Sequence, residues 1–438
     1  MRISRFIWTA FALSLCAGPL PVQAQATAPA AVQDPALAQA LRAEIAQLRR
    51  DFEARLAALE ARLSSVGVPP AAPGAVSPPD QPVAQVPAGA EGAGGPSGAL
   101  PVYGNVSAAS KIFNPDMAVI GNFVGVGGKN DVRPEPALAM REAEASFQAI
   151  VDPYARADFF MAFGEQGVDL EEGYITFPTL PGGLLMKVGK MRAAFGKVNT
   201  FHTHQLSWPD RPLVTENLIG GEEGMADAGL SIARLVPNPW MFLEATGQVF
   251  RGDSGELFTS HRRQDLSYVG HLRGYQDITE STNIDLGGSY VRGHNPSGAL
   301  VDDPDPSRFT TTLFGVDATL RWKPLRRSIY RSFVARSELV WNRREQPGGR
   351  QDGAGFFASG DYQFARRWFL GARVDRSDRA DDATLRDKGG SLLLTYWPSE
   401  FSQLRGQYRR TTYADGPTAN EFLFQFQFSI GAHGAHVF

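Results

Sequence analysis

The chain has 438 residues, 43 lysines and arginines against 46 aspartates and glutamates, and a formal net charge of −3 at pH 7. This balance provides no electrostatic attraction to nucleic acid, and a single cysteine, Cys16, excludes a disulfide framework and a multi-cysteine metal site. Helical membrane spans are also excluded, because each needs about 20 consecutive apolar residues and the one long apolar run is residues 6–20.

The first 24 residues have the layout of a secretory signal peptide. Arg2 and Arg5 supply a positive start, residues 6–15 form a short apolar stretch, and the small-residue sequence VQA at residues 22–24 provides a cleavage site. The alternative interpretation is a buried N-terminal helix. Cleavage at this site would remove Cys16, so we expect an exported mature chain without cysteine.

Residues 33–65 are predicted to form a charged oligomerisation helix, a coiled coil. Its apolar positions follow an eleven-residue repeat, which favours a nearly straight or right-handed supercoil. These positions are Leu37, Leu41, Ile45, Leu48, Phe52, Leu56, Leu59 and Leu63. Such a narrow stripe needs partner helices for stability; the alternative is packing on the chain's own second domain. Residues 66–108 are rich in Pro, Ala and Gly and are predicted to be an extended linker.

From about Met117 to the end, the sequence pattern changes to a period of two, which is typical of β-strands. Sixteen runs of about ten residues carry one apolar and one polar face, as in residues 422–428, where Phe alternates with Leu and Gln. Each run is a weak signal of a transmembrane barrel strand, and the repetition strengthens it. We therefore predict an all-β architecture for residues 109–438, an antiparallel barrel of about 16 strands.

The links between these runs indicate the same architecture. Every second link is short, for example 152–153 and 365–366, and the links between them are mostly longer, such as 293–308 and 346–353. Short periplasmic turns that alternate with longer outer loops are typical of a bacterial outer-membrane barrel, whereas a soluble β-sandwich would not separate its links in this way. The predicted location is the outer membrane, crossed many times, with the coiled coil in the periplasm.

The link at residues 193–227 is much longer than the others. Its prolines and glycines disfavour a strand or a long helix, and such a segment is tolerated at membrane depth only where it is buried in protein or lines water. We interpret it as a constriction loop, and the alternative is a long extracellular loop. The candidate constriction residues are His202, His204, Asp210, Arg211, Glu216, Glu222 and Glu223.

His202 and His204 are also candidate zinc ligands, because imidazole and carboxylate groups bind this metal. A spacing of two residues is not specific, so the other interpretation is a set of polar groups that narrow the pore and screen permeants. No cofactor is expected. The chain contains no GxSxG-type nucleophile elbow, and we do not expect an enzyme.

Strand alternation assigns many charged side chains to the lumen, because Arg or Lys facing lipid at the midplane would cost about 2–4 kcal/mol. Rings of charge select ions by sign, but the acids on this face nearly balance the bases. The predicted lumen-facing bases are Arg156, Lys187, Arg273, Arg321, Arg336, Arg373, Arg405 and Arg409. Those from Arg321 onward gather in the C-terminal strands, where they would form a basic strip on one wall.

Three stretches carry a resemblance to a known family: residues 114–126, the segment HTHQLSWPDRPLVTENLIGGEE in the long link, and the ending FSIGAHGAHVF. They resemble Gram-negative outer-membrane proteins related to the phosphate-selective porins O and P, some of which are labelled zinc-regulated outer-membrane receptor. The resemblance covers residues 109–438. It implies a trimeric sixteen-stranded porin, with anions as one class of permeant.

The sequence therefore predicts a passive diffusion channel for small hydrophilic solutes or ions, including anions such as phosphate, across the outer membrane. The expected partners are outer-membrane lipid, further copies of the chain in a homotrimer, the permeant solutes or ions, and the cell wall through the coiled coil; nucleic acid is not expected. Two alternatives stay open: an envelope protein that anchors the outer membrane to the cell wall, and a metal-related outer-membrane uptake protein.

Overall fold

The computed structural model describes residues 115–431, with gaps at 165–166, 222–223, 256 and 415, and one earlier residue, Gln47. The predicted signal peptide and linker, the predicted coiled coil apart from Gln47, the candidates Glu222 and Glu223, and the end of the chain lie outside the described residues. Within the described part of the chain, no helix has the length and apolarity needed to cross a bilayer.

Sixteen strands of the described residues form one closed antiparallel barrel, in which each strand pairs with its neighbours in sequence and the first pairs with the last. The predicted fold class and strand number are therefore confirmed for this region. The strands are β1 (Asp116–Lys129), β2 (Leu138–Asp152), β3 (Ala155–Gly164), β4 (Gly167–Leu180), β5 (Leu184–Arg192), β6 (Ala226–Leu235), β7 (Phe242–Phe250), β8 (Ser267–Thr279), β9 (Thr282–His294), β10 (Thr310–Trp322), β11 (Ser332–Gln346), β12 (Gly349–Ala365), β13 (Trp368–Asp378), β14 (Arg386–Ser399), β15 (Ser402–Thr412) and β16 (Thr418–Gly431). Closure pairs both edges of the sheet, so no strand edge is left exposed.

Alternation along each strand places apolar side chains outside the barrel and mostly polar ones inside. In β16, Phe422 and Phe424 are 57% and 44% exposed, whereas Gln425 and Gln427 point into the lumen and are buried. The same outward apolar position recurs around the barrel in Val188, Leu230, Leu272, Phe314, Leu370 and Leu392. An outward apolar band of this kind is the surface that faces lipid in transmembrane barrels.

The links at one end of the barrel are mostly short, and several at the other end are long. Residues 251–266 and 295–309 form two of the long links, and the second contains the one-turn helix α1 (Ser297–Leu300). The link expected at residues 346–353 is instead a two-residue turn, because β11 and β12 pair as far as Gln346 and Gly349. Gly348 and Gly349 adopt positive φ angles of 93° and 132°, a conformation that allows such a tight turn.

Candidate functional site

The longest link of the described chain, residues 193–225 between β5 and β6, runs inside the barrel, and we call it the inner loop. Its described residues form short turns: the 3₁₀ turns Val198–Thr200 and Thr203–Gln205 and the π-helical turn Thr215–Gly220. Asn199 ties the two ends of the loop together. Its side-chain amide donates to the backbone oxygens of Ala193 (2.9 Å) and Met225 (3.0 Å), and its Oδ1 accepts from the Met225 N–H (2.7 Å).

Apolar side chains of the inner loop pack on apolar residues that face inward from the strands. Phe195, Trp208 and Val214 are completely or almost completely buried in this cluster. Their inward-facing partners are Phe250, Val269, Val291, Leu313, Val340, Phe357 and Leu393. Gly315 leaves space for the loop, since a Cβ at this position would lie 2.9 Å from Cζ of Phe195. The loop therefore has a hydrophobic core of its own inside the barrel, in which each large side chain contributes about 1.5–3 kcal/mol.

Polar contacts attach the inner loop to β9 and β11. One carboxylate oxygen of Glu338 accepts the backbone N–H groups of residues 197 and 198, both at 2.6 Å. Lys197 Nζ lies 2.7 Å from Asp285 Oδ2 on β9. Burial lowers the pKa of Lys197 to about 8, although Asp285 acts in the opposite direction. Lys197 therefore changes its charge at a pH close to the physiological range.

A second attachment reaches β13 and β15, on the far side of the barrel from β5. The Asp210 carboxylate accepts from Arg373 Nη2 at 2.8 Å, Arg409 Nη1 at 3.0 Å and Gln407 Nε2 at 2.8 Å. Burial alone would raise the pKa of Asp210, but the two guanidinium groups hold it well below its usual range. Arg405 Nη1 adds a hydrogen bond to the backbone oxygen of Leu206 at 3.1 Å.

A cleft of about 150 Å³ lies beside this second attachment. Charged side chains of both signs line it, including Arg133, Glu135, Glu216, Arg373 and Arg409. Arg133 forms an ion pair with Glu216 of the inner loop, and Arg409 forms one with Glu135. The cleft therefore presents charges of both signs that are paired with one another.

The third attachment joins the inner loop to β2 and β4 through His202. Its Nδ1 lies 2.8 Å from Glu144 Oε2 and 2.9 Å from Glu171 Oε2, and its Nε2 lies 3.0 Å from Glu172 Oε2. Burial by itself would lower the pKa of His202, but these three carboxylates raise it well above its ordinary value. His204 lies next to it, with ring centroids 5.7 Å apart.

His204 borders the same group of acids. Its Nδ1 lies 3.5 Å from Glu144 Oε2 and 3.6 Å from Glu142 Oε1. The 3₁₀ turn that begins after His202 directs both rings to this wall: the Gln205 N–H donates to the His202 backbone oxygen at 3.0 Å, and Gln205 Oε1 accepts the His202 N–H at 3.1 Å. The two histidines selected from the sequence therefore meet four glutamates of the barrel wall.

Two β-bulges turn additional side chains into this region. The register between β3 and β4 shifts beside Glu171, so that Glu171 and Glu172 both face the lumen although they are adjacent. A second register shift lies between Asn122 and Phe123 of β1, where β2 carries the extra residue Arg141. The Arg141 guanidinium donates to the backbone oxygen of Pro209 in the inner loop. Bulges often re-aim side chains in this way next to functional sites. Glu171 and Arg141 could not be identified from the sequence, because a bulge leaves no mark in an alternating pattern.

The eight predicted lumen-facing bases lie on the inner face of the barrel, and most of them are in ion pairs. The pairs are Arg156 with Asp158, Arg273 and Arg321 with Asp285, Arg336 with Asp361, Arg373 with Asp210 and Asp375, and Arg409 with Asp210, Glu135 and Glu421. Lys187 lies over the ring of Tyr174 at 4.4 Å. Acids thus neutralise most of the basic strip expected in the C-terminal strands.

Arg211, another candidate from the sequence, supports the fold of the inner loop. Its guanidinium donates to the backbone oxygens of Val198 at 3.4 Å and Phe201 at 3.2 Å, and the side chain is buried. Burial lowers its pKa to about 10. Arg211 therefore holds two parts of the loop together and does not extend into open lumen.

Sequence comparison identifies a relative of this barrel. A protein of Aquifex aeolicus (strain VF5), named only as an uncharacterized protein, is 30% identical over 389 residues, which cover 75% of this chain and 81% of the relative. The chain belongs to the family of that protein. No known family profile matches it.

Two solved structures of outer-membrane porins have a similar fold. An anion-selective porin from Comamonas acidovorans has a TM-score of 0.51 at 9% identity, over 72% of this chain and 99% of that porin. OprB of Pseudomonas putida has a TM-score of 0.48 at 13% identity, over 74% of this chain and 95% of OprB. At such low identity, the likeness to the Comamonas protein shows that this family member has the fold of a porin barrel.

Proposed function

We propose that this protein is a passive diffusion channel for small hydrophilic solutes or ions across the bacterial outer membrane. One observation carries the proposal: the closed barrel is apolar outside and mostly polar inside, and the inner loop crosses its lumen. A closed barrel satisfies its backbone hydrogen bonds internally, which a bilayer requires. A barrel of 16 strands is also wide enough for an aqueous path.

The ion pairs of the lumen support a channel with weak preference for ions of either sign. Arg373 and Arg409 share Asp210, and Arg273 is paired with Asp285. The resemblance to porins O and P implies selectivity for phosphate. Such selectivity would require Arg or Lys side chains that are not already paired with acids and can attract an anion. We therefore propose that anions such as phosphate pass together with other small solutes.

The same proposal includes export, insertion and assembly. The predicted signal peptide supports export, and the apolar band around the barrel supports insertion into the outer membrane. The predicted coiled coil supports a homotrimer, since cyclic oligomers share one symmetry axis. The chain is proposed to act without catalysis.

Recording from planar lipid bilayers tests the proposal. The full mature chain, purified in detergent and checked for the heat-modifiable mobility of a folded barrel, should give ohmic conductance steps. A salt gradient should produce a small reversal potential. A folded preparation that never conducts would rule out the channel, and a reversal potential near the limit for one ion would rule out the weak preference. The mass of the detergent complex tests the trimer.

A further inference from the structure

Four potential ligand atoms converge where the inner loop meets β2 and β4. They belong to Glu142, Glu144, Glu171 and His202, and all lie within 4.8 Å of one another. His202 Nδ1 is 2.8 Å from an oxygen of Glu144 and 2.9 Å from an oxygen of Glu171. Donor atoms bound at about 2.0–2.2 Å to one tetrahedral cation lie about 3.4 Å apart. The spacing in the cluster therefore resembles that of atoms around a shared metal ion.

The hydrogen bonding of the cluster is incomplete. Glu142 is 5% exposed and Glu144 1% exposed, yet none of their carboxylate oxygens has a hydrogen-bond partner among the described residues. His202 Nδ1 also lacks a hydrogen bond of acceptable geometry, although two carboxylates lie near it. Buried polar groups are normally hydrogen-bonded, and leaving them unpaired costs free energy. A cation between these atoms would satisfy them together.

Glu172 orients the histidine. When His202 binds a cation through Nδ1, the proton of the neutral ring is on Nε2, where Glu172 Oε2 accepts it at 3.0 Å. The lone pair of Nδ1 is then directed at the other three glutamates. Glu172 is itself held by the backbone N–H of Arg192 at 2.6 Å. A carboxylate that fixes the outer nitrogen of a histidine in this way is the usual neighbour of a metal-binding histidine.

The charge of the cluster also calls for a cation. Four glutamates lie around His202, and Arg192 is a positive charge in contact with them, with its Nη2 2.8 Å from Glu171 Oε2. Isolated carboxylates are expensive to bury unless they are paired or coordinate a metal. Either a proton on His202 or a bound metal ion would offset part of this negative charge.

We propose that Glu142, Glu144, Glu171 and His202 bind one divalent transition-metal ion, with zinc as the representative. An imidazole together with carboxylates suits zinc and similar ions, whereas calcium and magnesium prefer oxygen ligands alone. His202 belongs to the inner loop and the three glutamates belong to the wall, so the ion ties one to the other. The proposal goes beyond channel function and does not depend on it.

Zinc binding to the full chain in detergent tests the site. The protein is stripped with a chelator, equilibrated with zinc chloride, passed through gel filtration and analysed for metal. We expect one zinc ion per chain, unaffected by excess magnesium, and anomalous scattering that places it between His202 and Glu171. Glu142→Gln and Glu171→Gln should weaken binding by about tenfold or more, and Glu172→Gln by about 10–100-fold.

His271→Gln is the matched control, because His271 also faces the lumen but lies outside the cluster, where its Nδ1 contacts Ser289 Oγ at 2.9 Å. It should bind zinc like the parent chain. Glu142→Gln is the most informative variant, since it removes no hydrogen bond, and heat-modifiable mobility shows that each variant is folded. Failure to bind zinc in a one-to-one ratio overturns the proposal, as does equal weakening in His271→Gln. Protonated His202 would then be the group that balances the glutamates.

Discussion

Arg373 of β13 donates two hydrogen bonds to the carboxylate of Asp210 in the inner loop, from Nη1 to Oδ1 at 3.2 Å and from Nη2 to Oδ2 at 2.8 Å. Both side chains are buried. This pair joins the middle of the loop to the side of the barrel farthest from β5. Removal of one partner from a buried pair typically costs about 3–5 kcal/mol, because the other charge is left without compensation.

Asp210→Asn should therefore release the inner loop from the β13–β15 wall. We expect larger and noisier single-channel conductance, with a loss of about 3–5 kcal/mol in the free energy of unfolding. Asp361→Asn is the matched control, because Asp361 pairs with Arg336 at 2.6 Å between two strands of the wall. Equal conductance changes in the two variants would contradict this role for Asp210.

Gly315 is expected to accept no larger residue while Phe195 is present. In Gly315→Val the new Cβ would meet the Phe195 ring, and overpacking of this kind costs about 1–3 kcal/mol. Denaturant unfolding in detergent measures the loss. Gly247→Val is the control, since a Cβ at Gly247 meets nothing within 4 Å. In the double variant with Phe195→Ala, the cost of the valine should fall, and strictly additive losses would argue against the contact.

Lys197 should make ion preference depend on pH. With a pKa of about 8, it is charged below that pH and neutral above it, so cation preference should increase with a midpoint near pH 8. Between pH 8 and the pKa of lysine in the unfolded chain, about 10.4, Lys197 is mostly neutral in the folded chain and mostly protonated in the unfolded chain. The free energy of unfolding therefore increases as pH rises through this range. Reversal potentials across this range measure the effect. Lys197→Arg keeps its charge and should lose the response; an unchanged response there would assign it to another group.

The outward apolar band should not tolerate charge. Leu392→Arg places a cation on the outer face, where it should cost about 2–4 kcal/mol if that face meets lipid near the midplane. We expect a lower folding yield in lipid vesicles, measured by heat-modifiable mobility. Leu300→Arg is the control, because Leu300 is also an exposed leucine but belongs to α1 in a link. Similar yields for both variants would place Leu392 outside the lipid-facing band.

Most of the barrel could be predicted from the sequence because the strand period is a local property. Phe422 and Phe424 alternate with residues that face the lumen, and this pattern alone identifies β16. The link at 346–353 was predicted wrongly, because its charges and glycines look like a loop. In the structure those charges lie on paired strands, where Arg350 and Asp352 form an ion pair at 2.8 Å.

The site was less predictable because it depends on contacts between distant parts of the chain. His202 could be selected as a metal-binding candidate, but its partners on β2 and β4 could not be inferred from spacing. Strict alternation places Glu171 on the outer face of β4, but the bulge turns its side chain into the lumen. The inward apolar residues, such as Leu313 and Phe357, were also unexpected, since a water-filled lumen favours polar groups.

The three attachments of the inner loop have a mechanical consequence for the barrel. Its three attachments are on β2 and β4, on β9 and β11, and on β13 and β15, and Asn199 ties its two ends together. A segment bonded to three separate sectors of a cylinder limits how far they can move apart or together. The loop is thus an internal brace, and the cross-section of the barrel depends on it as well as on strand number and tilt.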